Sequence, residues 1–298
     1  MDTLAVGPLR LEIIEQLKAV RLVLEDNEYG MSADVTCRST TLPYEDPAEF
    51  ARIDGRLISE RITYEVTGKC EGWVQVGGRR TELNGTTDSF FRNHSWGYQA
   101  GRGGPRLYGA PLVGVRRRAP GVRQWVLFDM PDHGGFYFVD PSGRQASGKG
   151  AIMLLDRSVP VVDVQHDLQF YEGGRRLRSG TVRLTDADGV QREYTIEDLG
   201  WVYTQGGGYF GGFDDGLGQG VYRGDYHAEG EVWDVSHPTR ITGSDGRSFE
   251  FDHAWAENFT RLTCDGRHGL AHFECVVITE AQEWTANPGR TPAGGSHE

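Results

Sequence analysis

The sequence predicts an all-β protein made of two consecutive antiparallel β modules. Stretches with apolar residues at every second position, bounded by Gly, Asp and Asn, dominate the chain. Gly makes up 42 of 298 residues, about twice ordinary usage, as many tight turns require. A third observation is an internal echo. Trp73, a Gly77-Gly78-Arg79 turn and Phe91-Arg92-Asn93-His94-Ser95-Trp96 recur as Trp233, Asp245-Gly246-Arg247 and Phe251-Asp252-His253-Ala254-Trp255. Self-similarity of this kind is a sign of duplication.

Taken in order, Leu9–Ile14 and Ala19–Leu24 read as the first strands, with Glu25-Asp26-Asn27-Glu28 as the turn after them. Residues 47–58 carry the one weakly helical pattern. Arg61–Val66 and Gly72–Val76 read as a pair of strands. Arg123–Asp129 and Gly135–Val139 form a hairpin around Met130-Pro131-Asp132-His133-Gly134. Thr181–Thr185 and Gln191–Ile196 flank Asp186-Ala187-Asp188-Gly189, a strong turn signal. Phe259–Cys264 and Leu270–Ile278 flank Asp265-Gly266-Arg267-His268-Gly269. Turns at this density fit barrels or sandwiches of short strands. The modules are expected over residues 1–145 and 146–284, followed by a polar, mobile tail over 285–298.

Composition excludes several classes. The net charge of −12 leaves no basic face for nucleic acid. Arg116-Arg117-Arg118 and Arg175-Arg176 read as short solvated turns. No apolar run is long enough to span a bilayer, and the N-terminus lacks a signal-peptide pattern. The four cysteines form no Cys-x-x-Cys pair, so free thiols in a cytoplasmic, reducing compartment are expected. Gly143–Lys149 falls short of a phosphate loop, because Gly150 stands where Ser or Thr is needed. No Gly-x-Ser-x-Gly elbow occurs. The nine histidines lack the spacing of paired metal ligands. No metal and no cofactor are expected.

Residues i and i+2 of a strand share a face, so His94 projects with Trp96 and His253 with Trp255. Such a pair is either a structural lock between strands or a polar spot in an apolar cavity that orients a ligand. The segment from Tyr203 to Tyr226, with Tyr209, Phe210 and Tyr226 among many Gly, is either an aromatic lid or ordinary barrel packing.

Phe91-Arg92-Asn93-His94-Ser95-Trp96-Gly97 resembles the Arg-Asp-His-x-Trp-Gly signature of the carotenoid 1,2-hydratase and AttH-like superfamily, which also includes fungal Diels–Alderases. Leu9–Glu15 and His253–Glu257 are similar to other parts of that superfamily, and the resemblance covers most of residues 7–280. It implies two consecutive lipocalin-like barrels or sandwiches with ligand space inside or between them. Because the resemblance starts almost at Met1, a first barrel that is incomplete or differently closed is expected. Asn93 replaces the family Asp and cannot serve as an acid. By resemblance, the catalytic candidates are His94, Trp96 and Asp129, with Asp129 nearest to the position of the family's acid. Trp125, Tyr209, Phe210, Tyr226, His253 and Trp255 are candidates for binding substrate.

Hydration of an alkene needs a buried, protonated carboxyl and an aromatic wall for the cation. The resulting expectation is a cofactor-independent enzyme acting on a hydrophobic alkene-bearing molecule, isoprenoid, steroid-like or polyketide, by hydration, isomerisation or cyclisation. The alternative is a non-catalytic carrier of a hydrophobic ligand. A third reading is a β-sandwich that binds sugar or protein through exposed aromatics. A carboxylate near His94 marks the enzyme, and an apolar cavity without one marks the carrier.

Overall fold

A computed structural model describes residues 2–53, 55–99, 116–118, 120–141, 149–203, 222, 224–228, 230, 232–237, 239–250, 255–278 and 282–284. Among them there is no helix, and so none long and apolar enough to cross a membrane. The N-terminal strands are β1 (Asp2–Val6), β2 (Leu9–Glu15), β3 (Ala19–Leu24), β4 (Met31–Ser39), β5 (Tyr44–Glu45), β6 (Glu49–Ile53), β7 (Arg56–Val76), β8 (Arg79–Leu83) and β9 (Ser89–Gln99). Then come β10 (Arg116–Arg118), β11 (Gly121–Asp129), β12 (Gly134–Val139), β13 (Lys149–Met153), β14 (Ser158–Phe170), β15 (Leu177–Asp186) and β16 (Gln191–Val202). The last are β17 (Trp233–Asp234), β18 (Arg240–Gly243), β19 (Ser248–Glu250), β20 (Trp255–Cys264), β21 (Arg267–Ile278) and β22 (Gln282–Trp284).

Strands β1 to β9 form one antiparallel sheet, ordered β1-β2-β3-β4-β7, with β5, β6, β8 and β9 also paired to β7. Strands β11-β12-β13-β14-β15-β16-β20-β21 close into an eight-stranded barrel. The all-β, lipocalin-like expectation therefore holds, as one closed barrel and one curled, open half-barrel. β10 pairs with β22, and β17-β18-β19 make a small separate sheet.

Several sequence expectations need correction. Residues 47–58 are not helical, because they hold β6, its turn and the start of β7. Arg61–Val66 and Gly72–Val76 do not pair, because both lie in the single 21-residue strand β7. Gly68 and Gly72 fit within this one strand because they serve close backbone approach. A Cβ at Gly72, where φ is +122°, would lie 2.0 Å from the Asp34 carbonyl oxygen on β4. β11 and β12 belong to the barrel, although they precede the expected module boundary. Arg116–Arg118 form a strand. Arg176 is nearly buried against Asp198 at 2.5 Å, and Arg175 donates to the Val277 carbonyl at 2.7 Å. The four thiols are free, as expected.

The two halves of the echo are built differently. Trp73 sits on β7 beneath Arg80, in one sheet with β9. Trp233 sits under Arg247 in the small sheet, while Trp255 begins β20 of the barrel.

The barrel wall β11–β12 is buried on both faces, which explains its unbroken apolar runs. Val126, Phe128 and Tyr137 point inward and pack with Val182, Tyr194 and Phe273. Leu127, Phe136, Phe138 and Met153 point outward and pack against Tyr44 and Phe91 of the first sheet. Each buried side chain of this size stabilises by about 1.5–3 kcal/mol. The Leu42 amide adds a hydrogen bond to the Leu154 carbonyl at 3.0 Å.

Candidate functional site: an aromatic and histidine cluster on an apolar sheet face

Pairing of β7 with β9 sets the site. Tyr64 lies opposite His94, Ile62 opposite Trp96, and Val66 opposite Arg92. Across the same face the pairing runs Leu11–Leu22–Val35 through β2, β3 and β4. This side of the sheet is thus mainly apolar, with Arg92 and His94 as polar interruptions near one edge. Val20, Cys37, Val66, Phe90 and Arg92, from four different strands, line one shallow pocket. That is possible only if the sheet curls around this face. The result is an open apolar trough in which Trp96 keeps 50% of its surface exposed and Leu22 keeps 37%.

Inside the trough, the rings of Tyr64, His94 and Trp96 meet edge to face. Their centroids are 5.2 Å (Tyr64–His94), 5.5 Å (His94–Trp96) and 6.0 Å (Tyr64–Trp96) apart. The Tyr64 hydroxyl and the Arg92 Nη2 approach His94 Nδ1 at 3.0 and 3.3 Å. A guanidinium can only donate, so Nδ1 is the acceptor and the neutral ring carries its proton on Nε2. Desolvation, with repulsion from Arg92, lowers the His94 pKa below its ordinary value. The ring is therefore neutral at neutral pH and offers an N–H donor. Arg92 also lies over the Tyr64 ring, 5.4 Å from its centroid.

The other sequence candidates lie elsewhere. Asp129 is fully buried at the end of β11 and faces the opposite side of the β7–β9 sheet. Its carboxylate accepts from Lys69 Nζ at 2.5 Å, Ser89 Oγ at 2.6 Å and Thr40 Oγ1 at 3.4 Å. Lys69 pairs with Ser89 across β7 and β9, on the face that alternates away from His94. The structure thus brings His94 and Trp96 together and leaves Asp129 beyond the sheet, tying the two modules. Asn93 shares that far face, and its Nδ2 donates to buried Glu65 at 2.7 Å. On the trough face, the carboxylate nearest along β7 is Glu60, four positions from Tyr64, or about 13 Å.

Trp125 belongs to the contact between modules, 5.5 Å from both Phe136 and His272 by ring centroid. His272 Nε2 is 2.5 Å from Glu257 Oε2, and Glu274 pairs with Arg123 beside it. Tyr226 is exposed and packs on the Gly7 turn of the first sheet, where an added Cβ would lie 2.1 Å from its ring. Trp255 opens β20 opposite Val276. Tyr209, Phe210 and His253 lie outside the described residues. Tyr64 and Arg92 were missed as site residues. Tyr64 becomes visible only through its register with His94, whereas Arg92 shares the face of His94 by simple alternation.

The barrel interior is closely filled, and its gap is the same size as the pocket beside Arg92, about 10 Å³. Val126, Phe128, Tyr137, Tyr194, Leu262 and Phe273 leave about 10 Å³ between them, no more than a single water. Among the described residues, no three His, Cys, Asp or Glu converge as a metal site. The model of a family of unknown function matches residues 1–283. No curated protein and no solved structure matches the chain.

Proposed function

The chain belongs to the DUF8625 family of unknown function, and we propose that this protein binds a hydrophobic small molecule in the trough of its N-terminal sheet, as a carrier. The observation that carries this reading is the Tyr64–His94–Trp96 cluster, set half-exposed in a mainly apolar curled face. Aromatic walls with a few convergent polar groups are the usual build of a small-molecule site. Exposed contiguous apolar surface also has a cost in water that a ligand removes, at about 25 cal/mol per Å² covered.

Alkene hydration, the chemistry the resemblance implies, requires a carboxylic acid at the ligand. Asp129 is engaged by three donors on the far side of the sheet. A second, catalytic reading rests on His94 alone. Its neutral ring has a donor on Nε2 and a cation behind Nδ1. Such a group polarises a carbonyl and would support isomerisation or cyclisation by orientation.

Solvent extraction of the purified protein, followed by mass spectrometry, tests the reading. We expect an apolar compound that leaves unchanged, with Trp96→Ala weakening its rebinding about tenfold, or about 1.4 kcal/mol. Turnover of the extracted compound that is lost in His94→Ala would favour catalysis instead. Rebinding untouched by Trp96→Ala and by Ile62→Asp would sink the trough as the site.

A further inference from the structure

We propose that the ligand of the trough is an amphiphile with a carboxylate headgroup, seated on Arg92. This rests on the reading of the trough as a hydrophobic site and specifies the ligand's polar end. Four other cations of the first sheet are matched by acids. Arg10 pairs with Glu12, Arg21 with Asp34, Arg61 with Glu49, and Lys69 with Asp129. All four project from the polar side of the sheet, away from the trough. Arg92 instead projects from the apolar side, opposite Val66. Its contacts there are the Tyr64 ring and His94 Nδ1, neither of which carries negative charge. Among the described residues, no carboxylate pairs with it.

A half-buried guanidinium without a counter-ion is unfavourable unless something supplies one. A carboxylate fits its planar fork with two parallel hydrogen bonds. The surroundings select the ligand's body beyond the headgroup. Arg92 shares its pocket with Val20, Cys37, Val66 and Phe90, so a group bound to the guanidinium lies against hydrocarbon at once. Lys18, paired with Glu15 at 2.7 Å, stands at the same pocket's rim. From β9 across β7, β4 and β3 to β2 the apolar face spans four strand spacings, about 19 Å. That accommodates an extended alkyl or isoprenoid chain. The His94 Nε2–H, on the ring edge turned away from the guanidinium, is a separate donor on the same face.

Three twelve-carbon probes, differing in headgroup alone, decide the matter: laurate, 1-dodecanol and dodecyltrimethylammonium. Each is titrated calorimetrically into the full chain and into Arg92→Met and Arg92→Lys. We expect laurate to bind about tenfold or more tighter than dodecanol, as a charge-assisted pair adds roughly 1.5–3 kcal/mol. Arg92→Met should erase that preference, so that laurate and dodecanol bind alike, and a circular-dichroism spectrum matching the parent shows that the variant is folded. Arg92→Lys should keep part of the preference. Equal affinities for laurate and dodecanol, or a preference unchanged in Arg92→Met, would overturn the carboxylate assignment while the apolar site stands. Binding of none of the three would overturn both. Co-sedimentation with phosphatidylglycerol vesicles without uptake of free laurate would assign Arg92 to a membrane surface and also overturn the proposal.

Discussion

His94 and Arg92 show how one strand face can hold a neutral imidazole against a cation. The guanidinium cannot accept a proton and so directs the histidine's proton to Nε2, while burial and its charge keep the ring unprotonated. His133 follows the same physics in another setting. It is buried at the β11–β12 turn, with Nδ1 2.9 Å from Asp132 Oδ1 and Nε2 2.8 Å from the Tyr194 hydroxyl. Desolvation outweighs the Asp132 carboxylate and holds its pKa below 6.5. The unfolded chain therefore binds more protons below that pH, and stability must rise with pH across the window. The contribution of His133 is full above about 6.5 and is lost as pH falls toward its depressed native value. Melting temperature should fall from pH 7 to pH 5, and His133→Gln should flatten that slope. His94 and His166, also depressed by burial, keep part of it. The depressed Asp186, held by Arg192, acts only below about 3.8. A slope identical in His133→Gln would contradict this account. At this scale the sequence was readable wherever alternation alone decides the matter. That His94 and Trp96 share a face follows from a period of two. That Tyr64 completes the cluster, or that Lys69, Ser89 and Thr40 hold Asp129, depends on register and module docking, which no local pattern encodes.

Strand β7 is the element on which the N-terminal half depends. It pairs with β4, β5 and β6 along one edge and with β8 and β9 along the other. Local sequence cannot distinguish a glycine at a tight turn from one at a close crossing of backbones. Gly72 and Gly77 separate the two roles. Both have positive φ, but a Cβ at Gly77 meets nothing within 4 Å, while one at Gly72 meets the Asp34 carbonyl. Gly77→Ala should cost about 1 kcal/mol. Gly72→Ala adds a backbone clash and should cost about 3 kcal/mol or more, with faster hydrogen exchange along β4 and β7. Equal costs in urea denaturation would refute the close-approach role. The hairpins were legible for the opposite reason. In Asp186–Gly189 the Asp186 carboxylate accepts from the amides of Asp188 and Val190, so side chain and turn reinforce each other within a few residues.

At the scale of the molecule, one sheet face is spent on docking and the other is left open. Asp129 is where the two modules are joined electrostatically, since its partners Lys69, Ser89 and Thr40 all come from the N-terminal module. Removing it leaves Lys69 facing a desolvated gap. Asp129→Ala should lower unfolding free energy by about 3–5 kcal/mol, while ligand affinity at His94, across the sheet, changes less than about twofold. If Asp129→Ala abolished binding in a folded protein, the two faces would not be independent. The composition makes sense at this scale as well. An apolar fraction of 38%, below the ordinary globular share, coexists with a doubly buried wall because most other strands meet water on one side.

That wall also has a consequence for biogenesis. The barrel closes by zipping β11 to β21, strands at opposite ends of the C-terminal half of the chain. On the ribosome, β11 and β12 emerge long before their closing partner exists, with Leu127, Phe136 and Phe138 unshielded. The first sheet has already been synthesised by then. Its Tyr44 and Phe91 surface can receive that wall while the seam waits. The barrel half expressed alone should therefore keep that wall bare and aggregate on refolding, whereas the full chain should not.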